Sequence, residues 1–178
     1  MTTIIDGSAN ADFATPLPLT EGGTGIATAT TAIVQIKNVQ TGAVATGTTQ
    51  IPNDDTIPQI TEGTEFMTLA ITPTSATSIL EVTVVTIVSN SGNNHISTAL
   101  FRDAVSDALA ADTEYTVATA TVSKSFVYQM IAGTTAEIIF RVRIGAGAAG
   151  TNSFNGVSGA RRFGGVMSSS ITIKEYTA

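Results

Sequence analysis

Short runs of β-branched and aromatic residues, each closed by a turn sequence, recur along most of this chain. In residues 138–144, Phe140 and Val142 alternate with Arg141 and Arg143. A period of two with one apolar side is typical of a β-strand that buries one face. Because such segments recur with almost no helical period, the sequence predicts an all-β protein.

One of these runs is apolar or Thr on both of its faces. Residues 79–88 (ILEVTVVTIV) carry a single charged side chain, Glu81. Strands that are covered on both sides have near-continuous apolar sequences of this kind. We therefore expect a central strand of a sandwich whose outer face meets another subunit.

Turn sequences separate the remaining predicted strands. Val34 and Ile36 alternate with polar neighbours in a half-buried strand, and Ile171 and Ile173 are expected to face inward near the carboxyl end. Residues 102–115 fit a helical turn or a strand equally well, and residues 145–165 are predicted to form a flexible loop region. Seven or eight strands with almost no helix predict a β-sandwich or jelly roll. The other predicted strands are residues 66–71, 95–101 and 122–131.

Charged residues are scarce, at 12% of the 178 residues. Ordinary globular domains carry about 25%, so much of the surface is expected to lie against copies of the chain or against a larger particle. The net charge of −6 and eight scattered Lys and Arg residues argue against nucleic-acid binding. There is no cysteine for a disulfide or thiolate metal site. No apolar run reaches the length of a membrane span and no secretory signal opens the chain. We therefore expect no membrane insertion and synthesis in a cytoplasm, where the protein stays or from which it leaves as part of an assembled particle.

Residues 1–31 differ in composition from residues 32–178. They contain three acidic residues and no basic one, with Pro16 and Pro18 followed by Gly22 and Gly23. Closely spaced prolines exclude a helix, and the glycines interrupt a strand. The sequence predicts an N-terminal arm or connector at 1–31 and a head domain at 32–178. A disordered tail is the alternative for the arm.

Three segments carry a resemblance to a known family. Residues 17–25 (LPLTEGGTG) resemble the Gly-Gly-Thr-Gly connectors of bacteriophage tail fibres. Residues 71–82 (ITPTSATSILEV) and 163–175 (FGGVMSSSITIKE) resemble the opening and closing strands of phage fibre heads with a C1q/TNF-like jelly roll. These motifs are patterns of small and β-branched residues.

The resemblance implies a homotrimer in a virion, made in a host cytoplasm, with a receptor-binding or decorative role, and it supplies no catalytic residue. We expect the head to bind a receptor for host attachment and the N-terminal arm to join other virion proteins. One alternative is a head fibre, collar or capsid-decoration protein. Another is a cellular C1q/TNF-like ligand-binding module, which the sequence disfavours because it lacks a signal peptide, cysteines and glycosylation sequons.

Motifs for catalysis and cofactors are incomplete. Residues 145–150 (GAGAAG) match G-x-G-x-x-G, but the turn sequence at 151–156 cannot supply the helix that holds a pyrophosphate. His95 is the single histidine, so a catalytic triad would depend on it. Residues 156–160 (GVSGA) lack the second glycine of a nucleophile elbow. We therefore expect no enzyme activity and no cofactor.

Carboxylates form two groups in the sequence. Asp54 and Asp55 lie between two prolines, and four more acids follow along residues 103–114. An acid pair could cleave polysaccharide, but aromatic residues make up only 6% of the chain and Trp is absent. Calcium binding is a better use for these carboxylate oxygens, although their spacing fits no defined calcium-binding loop. The sequence does not decide whether they bind calcium. Capping of turns is the favoured role for Asp54 and Asp55.

Candidate receptor-binding residues lie in two loops, because loops can vary without disturbing the core. Residues 90–95 and 152–162 combine flexible Gly and Ser with amide, imidazole, guanidinium and aromatic groups. Such groups suit a glycan or a protein on a host cell surface, and solvated connecting turns are the alternative. The predicted residues are Asn90, Asn93, Asn94, His95, Asn152, Phe154, Asn155, Arg161 and Arg162.

Overall fold

The period-two segments fold as strands throughout residues 32–178, the part of the chain that the computed structural model describes. The predicted arm at residues 1–31 lies outside this part and stays a prediction. The described part has one short 3₁₀ helix at Phe163–Gly165. Its strands are β1 (Ile33–Thr41), β2 (Ala45–Gly47), β3 (Thr64–Ile71), β4 (Ile79–Asn90), β5 (Asn94–Arg102), β6 (Ala110–Thr116), β7 (Thr121–Ile131), β8 (Ile138–Ala146), β9 (Asn152–Phe154), β10 (Gly156–Val157), β11 (Ala160–Arg161) and β12 (Ser169–Tyr176).

Two antiparallel sheets form a sandwich with jelly-roll connectivity. In sheet 1, β4 pairs with β7 on one edge and with β12 and then β9 on the other, while β1 and β2 lie outside β12 and β9. Sheet 2 has the order β3-β8-β5-β6. The eight longer strands thus lie as β1-β12-β4-β7 over β3-β8-β5-β6, which is the double Greek key of a jelly roll. The predicted fold class is confirmed.

The core lies between the two sheets. Leu80, Val82 and Val84 of β4 face Phe140 and other residues of β8, and all of them are fully buried. Ile171 and Ile173 of β12 also point inward, as predicted. The central position predicted for residues 79–88 is confirmed, because β4 has a paired strand on each edge.

The prediction of a half-buried strand around Val34 and Ile36 is wrong in its facing. Strand β1 forms, but Ile33 is 52% exposed and Ile36 is 56% exposed. Their side chains lie on the outer face of sheet 1, because Ile36 pairs with Lys174 while Val39 pairs with the inward-facing Ile171.

Two other segments differ from their simplest interpretation. Residues 102–115 form a turn followed by β6, so the extended alternative applies and the helical one does not. Residues 145–165 are not a flexible loop: β8 continues to Ala146, and residues 152–157 are buried in β9 and β10. The small and polar residues there satisfy backbone and side-chain hydrogen bonds in the interior, a role that a hydrophobicity pattern does not reveal.

The connection between β2 and β3 covers the outer face of sheet 2. Ile51 and Ile60 of this connection pack against Ala99 and Phe101, which face away from the main core. Backbone hydrogen bonds hold it at both ends, from Ile51 N to Ala146 O at 3.1 Å and from Ile60 N to Ser106 O at 2.7 Å. Residues 48–63 thus form a fixed third layer on this side of the sandwich.

Gly145 allows this third layer to cross β8 closely. A Cβ atom at Gly145 would lie 2.5 Å from Ile51 N, closer than real side chains come. The glycine-rich sequence that matches a dinucleotide fingerprint therefore serves backbone packing here, and it is followed by strand β9 rather than a helix.

Two charged side chains point into the sandwich. Lys124 of β7 donates hydrogen bonds from Nζ to Ile96 O at 2.7 Å and to Asp112 O at 2.9 Å, so it joins sheet 1 to sheet 2. Burial lowers the pKa of Lys124 to about 8, against the opposing effect of Asp112 and Glu114. No helix in residues 32–178 is long and apolar enough to cross a membrane.

Glu175 of β12 is buried without a cationic partner. Its Oε1 accepts hydrogen bonds from Thr74 N and Thr74 Oγ1, both at 2.7 Å, and its Oε2 accepts one from Gln35 Nε2 at 2.6 Å. Burial raises the pKa of this carboxyl, but the hydrogen bonds from Thr74, Gln35 and Ser78 outweigh burial and bring the pKa to about 2. The charged carboxylate holds together β12, β1 and the residues after β3.

We predict that Glu175 makes the fold sensitive to acid. Because its pKa in the folded chain lies below the ordinary value of 4.5, its stabilisation is present above that value and is lost as pH falls towards 2. Glu175→Gln should lower the melting temperature at neutral pH and reduce the further loss on acidification. Thermal melts across this pH range check it, with the exposed Glu137→Gln as control. Equal acid sensitivity of both variants and the parent would contradict the assignment.

Candidate functional site

The nine predicted receptor-binding residues fall into two environments. Four of them are buried in the interior, which removes them from any surface that contacts a receptor and corrects the prediction: Asn90, Asn152, Phe154 and Asn155. Each lies in or beside β4 and β9, where the sequence was interpreted as loop. The other five remain at or near the surface: Asn93, Asn94, His95, Arg161 and Arg162.

Asn155 occupies the point where β4 changes its partner from β12 to β9. Its backbone N donates to Ile87 O at 2.9 Å, and its side-chain Nδ2 donates to Thr41 O at 2.8 Å. Ser169 Oγ completes the junction, donating to Asn155 Oδ1 at 2.7 Å and accepting from Ile87 N at 2.9 Å. The backbone of Asn155 has φ of 54°, a left-handed conformation that Asn tolerates better than most residues.

The other buried polar pair fastens the end of β4. Asn90 Nδ2 donates to Asn152 Oδ1 at 2.8 Å, and Asn90 Oδ1 accepts from Gly92 N at 2.8 Å. Phe154 stacks on Phe66 of β3 with ring centroids 5.0 Å apart, so it bridges the two sheets. These residues build the fold that supports the loops rather than the binding surface itself.

Two predicted loops are joined at their bases. Ser91 N donates to Thr151 O at 3.0 Å, and Thr151 N donates to Ser91 Oγ at 2.9 Å. Asn93 Oδ1 accepts from Ala118 N and Asn94 Nδ2 donates to Ala148 O, so both amides already brace neighbouring turns. Arg161 and Arg162 lie exposed at the end of the β10–β11 hairpin.

His95 contacts an aromatic residue that the sequence analysis did not single out. Its ring meets that of Tyr115 edge to face, with centroids 5.1 Å apart, and the two residues are paired across β5 and β6. Tyr115 is 54% exposed, whereas His95 Nδ1 is buried and has no hydrogen-bond partner within the described chain. The period-two pattern of β6 could have placed Tyr115 outward, had residues 110–116 been assigned to a strand.

The carboxylates of Asp54 and Asp103 brace turns. Asp54 Oδ1 accepts hydrogen bonds from Thr56 N and Thr56 Oγ1, which lower the pKa of Asp54 and confirm its predicted turn-capping role. Asp103 Oδ1 accepts from Ile139 N at 2.8 Å. Within residues 32–178, no three His, Cys, Asp or Glu side chains lie close enough together to hold a metal ion.

Two adjoining cavities lie between the third layer and β6, and we call them the β6 groove. The larger, of about 420 Å³, lies between residues 54–58 and residues 108–111. The smaller, of about 190 Å³, continues past Asn53, Ser97 and Thr113. Asp54, Thr56, Pro58 and Ala111 line both cavities, so the groove is continuous.

The outer face of sheet 1 carries exposed apolar side chains, among them Ile36, Val127 and Ile131, that the described chain leaves uncovered. Pairing across β4 and β7 brings together Ile79 with Ile131 and Thr83 with Val127. Its charged residues neutralise each other, because Lys174 Nζ lies 2.9 Å from Glu81 Oε1. Hydrogen bonds from Lys174 and Gln129 lower the pKa of Glu81, and the pairing with Glu81 raises the pKa of Lys174.

Comparison with known proteins yields similarity in fold alone. The sequence matches no model of a protein family and no curated protein. Similar solved structures include a CBM4 structure, with 15% identity and a TM-score of 0.41 over 72% of this chain and 76% of that one. The Eiger TNF of S. frugiperda has 12% identity and a TM-score of 0.45 over 79% of this chain and 92% of that one.

A tailspike domain is a more distant neighbour. The enzymatically active domain of tailspike protein 4 from bacteriophage CBA120 has 17% identity and a TM-score of 0.29, over 68% of this chain and 19% of that one. At TM-scores below 0.5 these likenesses carry no conclusion about function. The jelly roll is assigned from the strand order of this chain.

We predict that Asn155→Ala destabilises the fold by about 1–3 kcal/mol. The change removes the hydrogen bonds from Asn155 Nδ2 to Thr41 O and Ala43 O and leaves the buried Ser169 hydroxyl without its acceptor. Alanine also tolerates the positive φ at this position less well than Asn does. The exposed Asn53→Ala should change stability by less than about 0.5 kcal/mol. Urea denaturation of both variants measures the difference. If the two variants unfold at the same urea concentration, the structural role assigned to Asn155 is wrong.

Proposed function

We propose that this chain is a structural, non-enzymatic virion protein of a bacteriophage: the homotrimeric jelly-roll head of a fibre or tail appendage, used for host attachment. The single observation that carries the proposal is the uncovered, electrically neutral outer face of sheet 1. The low charge content and the connector-like sequence at residues 17–25 add support.

The face of sheet 1 has the character of a subunit interface. Val127 is 58% exposed and Ile131 is 65% exposed, and both extend the apolar surface of β4. Exposed apolar patches rimmed by polar groups are typical of protein–protein contact sites. Because the chain's own third layer covers sheet 2, this face of sheet 1 is the side left for a partner.

Charge favours another copy of the same chain as that partner. The whole chain carries a net charge of −6, so two copies repel each other unless neutral surfaces meet. On this face the negative charge of Glu81 is balanced by Lys174. Many acidic residues instead lie on the side of sheet 2 and the third layer, among them Asp54, Asp55 and Glu65. Association through sheet 1 therefore brings little like charge together.

We predict that Val127→Glu converts a trimer into monomers. The substitution places three unpaired carboxylates in the proposed interface, where their desolvation opposes association. Native mass spectrometry of the full-length protein at micromolar concentration measures the assembly. Val105→Glu, at an exposed apolar residue on the β5–β6 turn, is the matched control and should remain trimeric. A parent protein that is a stable monomer would refute the trimer.

Host attachment is supported by the polar groups at the loops. His95 carries an imidazole beside exposed Tyr115, and Arg162 presents an exposed guanidinium. Individually weak contacts of this kind become effective when three copies of a head bind the same cell surface together.

We predict that His95→Ala combined with Arg162→Ala lowers adsorption to host cells while the oligomer persists. Adsorption is measured with fluorescently labelled full-length protein on a panel of bacterial strains, and oligomeric state by light scattering. Arg102→Ala, which removes a partly exposed Arg at the end of β5, serves as the control. Unchanged adsorption by an intact oligomer would remove these loops from the receptor site and favour a capsid-decoration or collar role.

A further inference from the structure

We propose that the β6 groove is a binding site for a neutral saccharide. The biological role of such a site rests on the proposed function in host attachment. Saccharide binding in the groove is tested separately from attachment. None of the nine predicted receptor-binding residues lines either cavity, whereas Asp54 and Asp55, which the sequence analysis considered as an acid pair, line the larger one.

The groove is built before any ligand arrives. Its wall, residues 52–58, is held by Ile51 on one side and by hydrogen bonds between the segments 58–60 and 106–108 on the other. Asp54 fixes the turn within the wall through Thr56. Its floor is the outward row of β6, formed by Ala111 and Thr113. A rigid groove costs little ordering entropy on binding.

Polar groups along the groove suit a ligand with many hydroxyls. Asn53 offers both donors and acceptors, Thr113 and Ser97 offer hydroxyls, and Asp54 and Asp55 offer carboxylate acceptors. Charge-assisted hydrogen bonds from ligand hydroxyls to carboxylates are stronger than neutral ones. The carboxylate of Asp54 is ionised at neutral pH, and the hydrogen bonds from Thr56 lower its pKa further.

An aromatic platform extends the same row. Tyr115 lies two residues after Thr113 on the outward side of β6, so it stands next to the smaller cavity along the strand. His95 supports its ring from the edge. A half-exposed Tyr presents an apolar face with a polar tip, which matches the C–H and O–H sides of a sugar ring.

The charge of the lining selects among ligand classes. Among the described residues, no Lys or Arg lines either cavity, so the carboxylates would repel phosphate, sulfate or uronate groups. The larger cavity, at about 420 Å³, is within the usual range for a small-molecule site. Three of its six apolar lining residues are alanines and none is aromatic, so it offers little to hold a large apolar side chain of a peptide. A neutral sugar unit meets all these conditions.

The test uses the full-length protein and an array of neutral and anionic oligosaccharides, followed by titration calorimetry with the best neutral probe. We expect binding to neutral glycans and not to sulfated or uronate-rich ones. Ala111→Arg should abolish binding, because a long side chain fills the point where both cavities meet. Tyr115→Ala should weaken it about tenfold, through loss of the aromatic contact.

Ala136→Arg is the matched control, since Ala136 is exposed in the β7–β8 turn and lines neither cavity. It should bind like the parent, and all variants should melt at similar temperatures. Absence of binding to every neutral glycan overturns the inference, as does binding that survives both groove variants. Preference for anionic glycans or for a peptide overturns the ligand class.

The outcomes separate the groove from the proposed attachment role. Adsorption to cells without binding of any array glycan rejects the groove and leaves host attachment standing. Binding of a neutral glycan that Ala111→Arg abolishes, with no adsorption of the parent protein to any strain, supports the groove and rejects attachment.

Discussion

Each of the two sheets has an inner and an outer face, and the architecture depends on what covers each of these faces. The two inner faces cover each other around Phe140 and Val82. The outer face of sheet 2 is covered by residues 48–63, which pack Ile51 onto Phe101. The outer face of sheet 1 has no such cover within the described chain. The same asymmetry places the wall of the β6 groove on one side and the proposed subunit interface on the other.

The sequence predicted both the strands and their core-facing side chains correctly where one side of a segment was apolar. Residues 138–144 and 171–173 are of this kind, and their inward side chains are buried as predicted. Strand β1 has the same alternation, but it lies at an edge of sheet 1, and its pairing with β12 places Ile36 on the outer face. A period of two shows which side chains share a face of a strand. It does not show whether that face points to the core or to the outside.

The candidate binding residues were predicted less well, for a physical reason. Asn and Ser are frequent in exposed turns, and the same side chains can replace backbone partners inside a protein. Asn155 and Ser169 do so where β4 changes partner, and Asn90 does so at its end. Sequence composition does not distinguish these two uses. Tyr115 was missed because residues 102–115 fit a helical turn and a strand equally well. The groove was missed because it depends on a long connection folding across a sheet, which has no local sequence signal.

Lys124 has a consequence for how copies of this chain can meet. Strand β7 is an edge of sheet 1, and its inward lysine is engaged with carbonyls of sheet 2. The other long edge strand, β1, has an irregular register between Ile33 and Gln35 and carries the exposed Lys37 opposite Ile173. Inward charges and bulges hinder the addition of a further strand from another molecule. Edge-to-edge growth into fibrils is therefore opposed, whereas association through the faces of the sheets is not.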